Sequence, residues 1–224
     1  MDSYSKGYID ALVDAQSHID GYFFLEESLS PALLDAMQKV CPITPNQDGA
    51  ETLAYVYSHY FLGRRATALA RIDLLNKISQ NFDVTVYTHA DCKDILPTAI
   101  YGGKIDYYDT MPTVFQHSKI NLNITLKTIQ TGIPLRAWDI LGCGGFLLTN
   151  FQQELCDFFI PGEDFVYYES PADAIEKAAY FLSHDRERQE IAHNAFEKIA
   201  ASHTFHHRVQ SCLLYTSDAA DERS

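Results

Sequence analysis

The chain has 224 residues, enough to bury a core in one large domain or in two small ones. Its 17 basic and 30 acidic residues leave a formal charge of −13, the wrong sign for a surface that gathers nucleic-acid phosphates or anionic lipid, so no nucleic-acid partner is expected. At 46% hydrophobic and 12% aromatic residues it is too apolar for a disordered chain.

No stretch approaches the ~18 consecutive apolar residues that span a bilayer, and the opening MDSYSKGYID lacks the basic and then apolar layout of a signal peptide. No transmembrane segment and a cytoplasmic location are therefore expected. Cys41, Cys92, Cys143, Cys156 and Cys212 are scattered, with no Cys-x-x-Cys pair, and read as reduced and structural.

In chain order, Tyr8 to Ser17 reads as helical and Tyr22 to Leu25 as an apolar segment with no earlier element to pack against, which suggests an internal start. Ser30-Pro31 opens a helix, because proline in the first turn loses no hydrogen bond. Pro42, Pro45, Asn46 and Gly49 form a breaker cluster, placing a linker near 42–49. From Glu51 to about Ser79 the apolar steps are helical, as one long helix or two joined near Gly63.

Phe82 to Thr88 then reads as a strand, Ile105 to Tyr108 as a short strand, and Thr113 to Gln116 as a helical turn. In Ile120 to Thr125, Ile120, Leu122 and Ile124 alternate with Asn121, Asn123 and Thr125, predicting a strand with an apolar and a polar side. Pro134 to Leu141 is predicted helix and Phe146 to Thr149 a buried strand. Glu154 to Phe159 follows as one or two helical turns, then Phe165 to Tyr168 as a strand. Ser170 caps a helix over 171–183, and another spans 185–201. Strand alternating with helix points to a parallel sheet wound with helices. The string Cys212 to Glu222, CLLYTSDAADE, lacks an apolar period and matches one reading frame of a common transposase-type sequencing adapter, so residues 212–224 are expected to be translated adapter. Without them the chain remains strongly acidic.

The cluster Gly142-x-Gly144-Gly145 follows a helix and precedes a strand, the reverse of a dinucleotide fingerprint, and reads as a left-handed helix exit. More informative is the turn Gln130 to Arg136, which joins a strand's carboxyl end to a helix amino terminus. Open α/β sheets bind ligands at that edge, and free N–H groups at a helix start favour phosphate. Gly132 would let a ligand approach the main chain. Arg136 adds a forked donor, and Lys119 stands just before the preceding strand. Asp139 shares a helix face with Arg136; it either accepts ribose hydroxyls or forms a surface ion pair with Arg136. His203, His206 and His207 have a spacing compatible with metal but no third ligand, and read as packing. Glu154 and Glu163 are expected to face water.

SKINLNIT (118–125), GIPLRAWDILGCGGFLLTN (132–150) and HDRERQEIAHNAFEKIAASHTFHHR (184–208) resemble the carboxyl-terminal domain of the CgeB-like, spore-maturation-type glycosyltransferases of the GT-B superfamily. The resemblance runs from about 64 to 208. It implies an α/β, Rossmann-like parallel sheet flanked by helices, the carboxyl-terminal half of a GT-B fold. Residues 1–50 would be a helical remnant of an amino-terminal domain and its linker, and 51–211 the nucleotide-sugar-binding domain. The implied partners are a nucleotide-sugar donor, an unknown glycosyl acceptor and a missing amino-terminal GT-B domain, with no cofactor and no metal. In that superfamily a Glu-x7-Glu pair contacts sugar and ribose; Asp139 matches the second glutamate, whereas Thr131 stands at the first. The resemblance further makes Lys119 and Arg136 diphosphate ligands, and places Thr88 and the stretch Tyr108 to Met111 where the base is contacted, Tyr108 serving either there or in packing. A non-catalytic nucleotide-binding module is the alternative reading of the same residues.

Overall fold

The computed structural model describes residues 1–44 and 51–221, with side chains through 213. Helix α1 (Ser3–Ser17) starts earlier than the periodicity suggests, because the Asp2 carboxylate caps it by accepting from Ser5 N–H at 2.9 Å. Helix α2 (Pro31–Val40) starts where Ser30-Pro31 predicts, with the Ser30 hydroxyl accepting from Leu33 N–H. The apolar segment between them does have an earlier partner. Leu25 is fully buried against Ile9 and Val13 of α1, and the buried Gln16 amide bonds both Tyr22 O and Phe24 N–H at 2.9 Å. The expected linker at 42–49 falls mostly outside the described residues.

A continuous helical run follows. It comprises α3 (Leu53–Tyr55), a π-helical stretch (Val56–Leu62) and α4 (Gly63–Ser79). One run with a widened middle, ending at Gly63, therefore replaces the choice between one helix and two. Glycine is needed there because a Cβ would overlap the Thr128 methyl and sit 3.0 Å from Ser58 O. The loop after β3 thus rests directly on α4.

Strands β1 (Thr85–Tyr87) and β2 (Ile100–Gly103) pair in parallel, with an irregularity between Val86 and Tyr87. The expected strand at 105–108 is not formed. The Asp106 carboxylate accepts from Tyr108 N–H and Asp109 N–H, both at 2.8 Å, which bends this segment into a turn, while the strand forms over 100–103. After α5 (Met111–His117) come β3 (Asn121–Asn123), α6 (Leu135–Gly142) and β4 (Leu147–Asn150). A 3-10 turn (Gln153–Asp157), β5 (Val166–Tyr168), α7 (Pro171–Ser183), α8 (Asp185–Ser202) and α9 (Phe205–Asp221) complete the order. Strands β3, β4 and β5 form a parallel sheet in that order.

Successive residues of β4 point to opposite cores. Leu148 packs with Leu74, Ala178 and Phe181 from α4 and α7; Leu147 packs with Ile140 and Ala195 from α6 and α8. Helices therefore cover both faces of a parallel sheet, as the strand–helix alternation implies, and the α/β arrangement is Rossmann-like, as the resemblance implies. The polar side of β3 is buried as well, with Asn121, Asn123 and Thr125 each at 7% exposure or less. Asn121 Nδ2 donates to Phe115 O at 2.9 Å, Asn123 Nδ2 to Thr149 Oγ1 at 3.0 Å, and Thr125 N–H to Asn150 Oδ1 at 2.9 Å. These bonds remove the cost of burying the amides. Helix α9 continues through the segment expected to lack helical character; no glycine or proline interrupts 205–221, and its side chains from Arg208 to Leu213 are exposed.

Candidate functional site at the carboxyl edge of the sheet

The turn that carries β3 into α6 is open. Gln130, Thr131 and Gly132 are exposed, Gly132 takes the left-handed φ of +90°, and a Cβ there would meet no heavy atom within 4 Å. Helix α6 begins behind Pro134 with no side-chain cap; Ala137 N–H bonds Pro134 O at 2.9 Å, and among the described residues no side chain accepts from Leu135 or Arg136 N–H. Such an end attracts negative charge.

Beside it stands a compact group. Tyr107 donates its hydroxyl to Asp139 Oδ1 at 2.8 Å, and Arg136 Nη1 lies 3.7 Å from Asp139 Oδ2. The Arg136 guanidinium sits 5.4 Å from the Phe115 ring centre and 6.0 Å from that of Tyr107, and it contacts Met111 Sδ. Tyr108 packs edge-on against Tyr107 at 5.1 Å while remaining 82% exposed. The hydrogen bond to Asp139 pushes the Tyr107 phenol above its ordinary pKa, with desolvation adding to the shift. The structure thus brings Tyr108, Met111, Arg136 and Asp139 together next to the Gly132 turn. Tyr107 was missed: its signal lay in the Tyr107-Tyr108 pair, but a strand there would have sent the two rings to opposite sides.

Thr88 and Lys119 lie elsewhere. Thr88 follows β1, bonds Gly103 O through its N–H at 3.0 Å, and lines a hollow of about 540 Å³ with Arg64, Arg71, Ile72, Ile95 and Leu126. Lys119 precedes β3 and is exposed at the amino edge, where its charge helps Arg188 lower the pKa of Asp185. The length of β3 separates it from Gly132 and Arg136. Arg64 and Arg71 were also missed, because a helical pattern does not report which cations face a hollow.

The remaining polar groups divide between packing and surface. His203 sits among Trp138, Phe158 and Phe159 at ring distances of 5.5, 5.3 and 6.2 Å, and burial pulls its pKa down. Arg208 closes this cluster 5.2 Å from the Trp138 ring. Glu163 is exposed, as expected. Glu154 differs: it is half-buried, and its Oε2 lies out of contact with solvent without a hydrogen-bond partner among the described residues. Gly144, at φ +73°, provides the left-handed exit from α6, and the lack of a Cβ at Gly145 admits the Asn121 amide.

Among the described residues, no helix is long and apolar enough to cross a membrane. No curated protein matches the chain, and no solved structure does. A sequence model described as glycosyl transferase-like matches residues 64–213, a span that takes in the hollow, the open turn and the Arg136–Asp139 group, and the chain belongs to that family.

Proposed function

We propose that this chain is the donor-binding domain of a CgeB-like GT-B glycosyltransferase, holding a nucleotide sugar at the carboxyl edge of its sheet for transfer to an acceptor. The observation that carries the reading is the open Gly132 turn leading into an uncapped helix start beside Arg136 and Asp139. As the glycosidic bond of the donor breaks, negative charge grows on the departing diphosphate. A guanidinium and helix-end N–H groups already in place lower that barrier, and this chemistry needs no divalent metal. Asp139, held by the Tyr107 hydroxyl, is oriented to accept ribose hydroxyls through its remaining lone pairs. The acceptor and the general base would then belong to an amino-terminal GT-B domain.

Calorimetric titration with uridine, adenosine, guanosine and cytidine diphosphates tests this. Arg136→Ala and Asp139→Ala should each weaken binding by about 1–3 kcal/mol through lost charged hydrogen bonds. Unchanged affinity in both, with folding intact by circular dichroism, refutes the assignment. Thr131, where a sugar-contacting glutamate is expected, favours a second reading, a nucleotide-binding module without catalysis. Release of nucleoside diphosphate from a donor panel by the full-length parent protein, unaffected by chelator, decides for the transferase.

A further inference from the structure

We propose that Asp20 and Lys127 form a latch through which the amino-terminal helical segment holds the Gly132 turn in shape, so that docking of residues 18–25 and ligand binding at the turn favour each other. The loop that carries β3 into α6 spans 124–134 and has no regular structure. Its first half is held from α4 and from the sheet. Arg71 Nη2 donates to Ile124 O at 2.8 Å, Thr125 N–H to Asn150 Oδ1 at 2.9 Å, and Lys127 N–H to Thr67 Oγ1 at 2.9 Å. Lys127 is the last buried residue before the exposed Gln130, Thr131 and Gly132. Its ammonium is where a distant element takes hold: Nζ meets Asp20 Oδ1 at 2.7 Å, with the lysine side chain 5% exposed. Gln130 Nε2 then donates to Lys127 O at 2.9 Å, which ties the turn to the latched residue.

Asp20 is itself held in place. Gly21 beside it takes φ +76°, and the buried Gln16 side chain on α1 donates to Ile19 O at 3.3 Å and Tyr22 O at 2.9 Å while accepting from Phe24 N–H. The chain from 19 to 24 thus curls around one amide. Burial pushes the Tyr168 phenol above its ordinary pKa, the Asp20 carboxylate adds to that push and Arg71 opposes it, so Asp20 stands within electrostatic reach of the carboxyl end of β5 as well. A buried ammonium is tolerated only while its partner is in place. The backbone bonds of Lys127 keep the loop in its ground state, but any loosening of the turn that moves Lys127 must also undock Asp20 or strand its charge. Docked segment and ordered turn therefore make one two-state element. A ligand that selects the ordered turn tightens the docking by the same factor as docking tightens the ligand. The ligand arm rests on the proposed function, whereas the coupling of segment to turn does not.

Hydrogen exchange read by mass spectrometry tests the latch in the intact chain. In Lys127→Met, peptides over 18–25 and 126–134 should both exchange about tenfold faster relative to the β4 peptide, because each can now open without the other. Asp20→Glu keeps the charge on a side chain that is 39% exposed and has room for the extra carbon, and it should retain the wild-type rates over both segments. Uridine, adenosine, guanosine and cytidine diphosphates are then titrated in turn. The one that binds should slow exchange over 18–25 as well as over 126–134 in the wild type; Lys127→Met should lose the effect over 18–25 and bind about fivefold more weakly. Wild-type exchange over 126–134 in Lys127→Met, or an affinity equal to or above that of the wild type, overturns the proposal. Faster exchange over both segments, with no nucleoside diphosphate bound by the wild-type chain, supports the latch and removes the donor site at α6.

Discussion

Asp20→Asn should destabilise the chain more than Lys127→Met, although both delete the same ion pair. The Lys127 side chain is 5% exposed and that of Asp20 39%, with Nζ to Oδ1 at 2.7 Å. Removing the carboxylate strands a buried ammonium. Breaking a fully buried pair in this way costs about 3–5 kcal/mol, and water reaching the half-open Asp20 side lowers the figure to about 2–3 kcal/mol. Methionine preserves the length of the Lys127 side chain while removing its charge, and Asp20 then turns to solvent, so that change should cost about 0–1 kcal/mol. The backbone of Lys127 stays tied in both variants, its N–H to Thr67 Oγ1 and its carbonyl to Gln130 Nε2, both at 2.9 Å. The double variant should resemble Lys127→Met alone, giving a coupling of about 2 kcal/mol. Urea unfolding followed by circular dichroism measures all four chains. Equal costs for the two single variants, or simple additivity in the double, would show that Lys127 is not held as a buried charge.

At Gly145, alanine would place a Cβ 2.7 Å from Asn121 Nδ2 and 2.8 Å from Phe115 O. Gly145→Ala should therefore cost about 1–3 kcal/mol, more than the left-handed strain of about 1 kcal/mol expected for Gly132→Ala; a reversed order of urea midpoints contradicts this packing. The Tyr107 phenol should titrate above its ordinary value of 10.0 in the native chain and fall back towards it in Asp139→Asn, as followed by NMR of labelled tyrosine. Because the folded value is raised, the associated stability is whole below the unfolded value and fades as pH rises through the folded one. His203 has the opposite sign: burial, then Arg208 and His207, depress its pKa below 6.5, so its contribution is present above that pH and fades as pH falls through the depressed value. Trp138, the single tryptophan, lies 5.5 Å away and should report the protonation by fluorescence quenching with a midpoint under pH 6.5, lost in His203→Gln; a midpoint at or above 6.5 counts against burial of the ring.

Helix starts and exits were readable because the groups that make them are neighbours in the chain. Ser30 and Ser170 cap the helices they precede, and Gly144 leaves α6 with positive φ. The strands at 147–150 and 166–168 announced themselves by unbroken apolar runs, which only a sheet covered on both faces can bury. The short strand at 100–103 was misplaced because two glycines masked it and the adjacent aromatic pair looked more strand-like. Burial of the Asn121, Asn123 and Thr125 side was equally hidden, since alternation of polar and apolar residues predicts a solvent face unless distant partners such as Thr149 and Asn150 are known.

The linear order of residues by itself determined the α/β class, the acidic surface, most helix boundaries and the open turn before α6. Those properties depend on composition, on periodicity and on bonds between residues a few positions apart. Only the tertiary structure decided that Tyr107 anchors Asp139 across 32 positions and that Lys127 meets Asp20 across 107. It also set Lys119 on the amino edge and turned Arg64 and Arg71 towards a hollow at the other. Spacing along a helix or strand fixes the face on which a side chain emerges, but what that face meets depends on elements brought up from elsewhere in the chain.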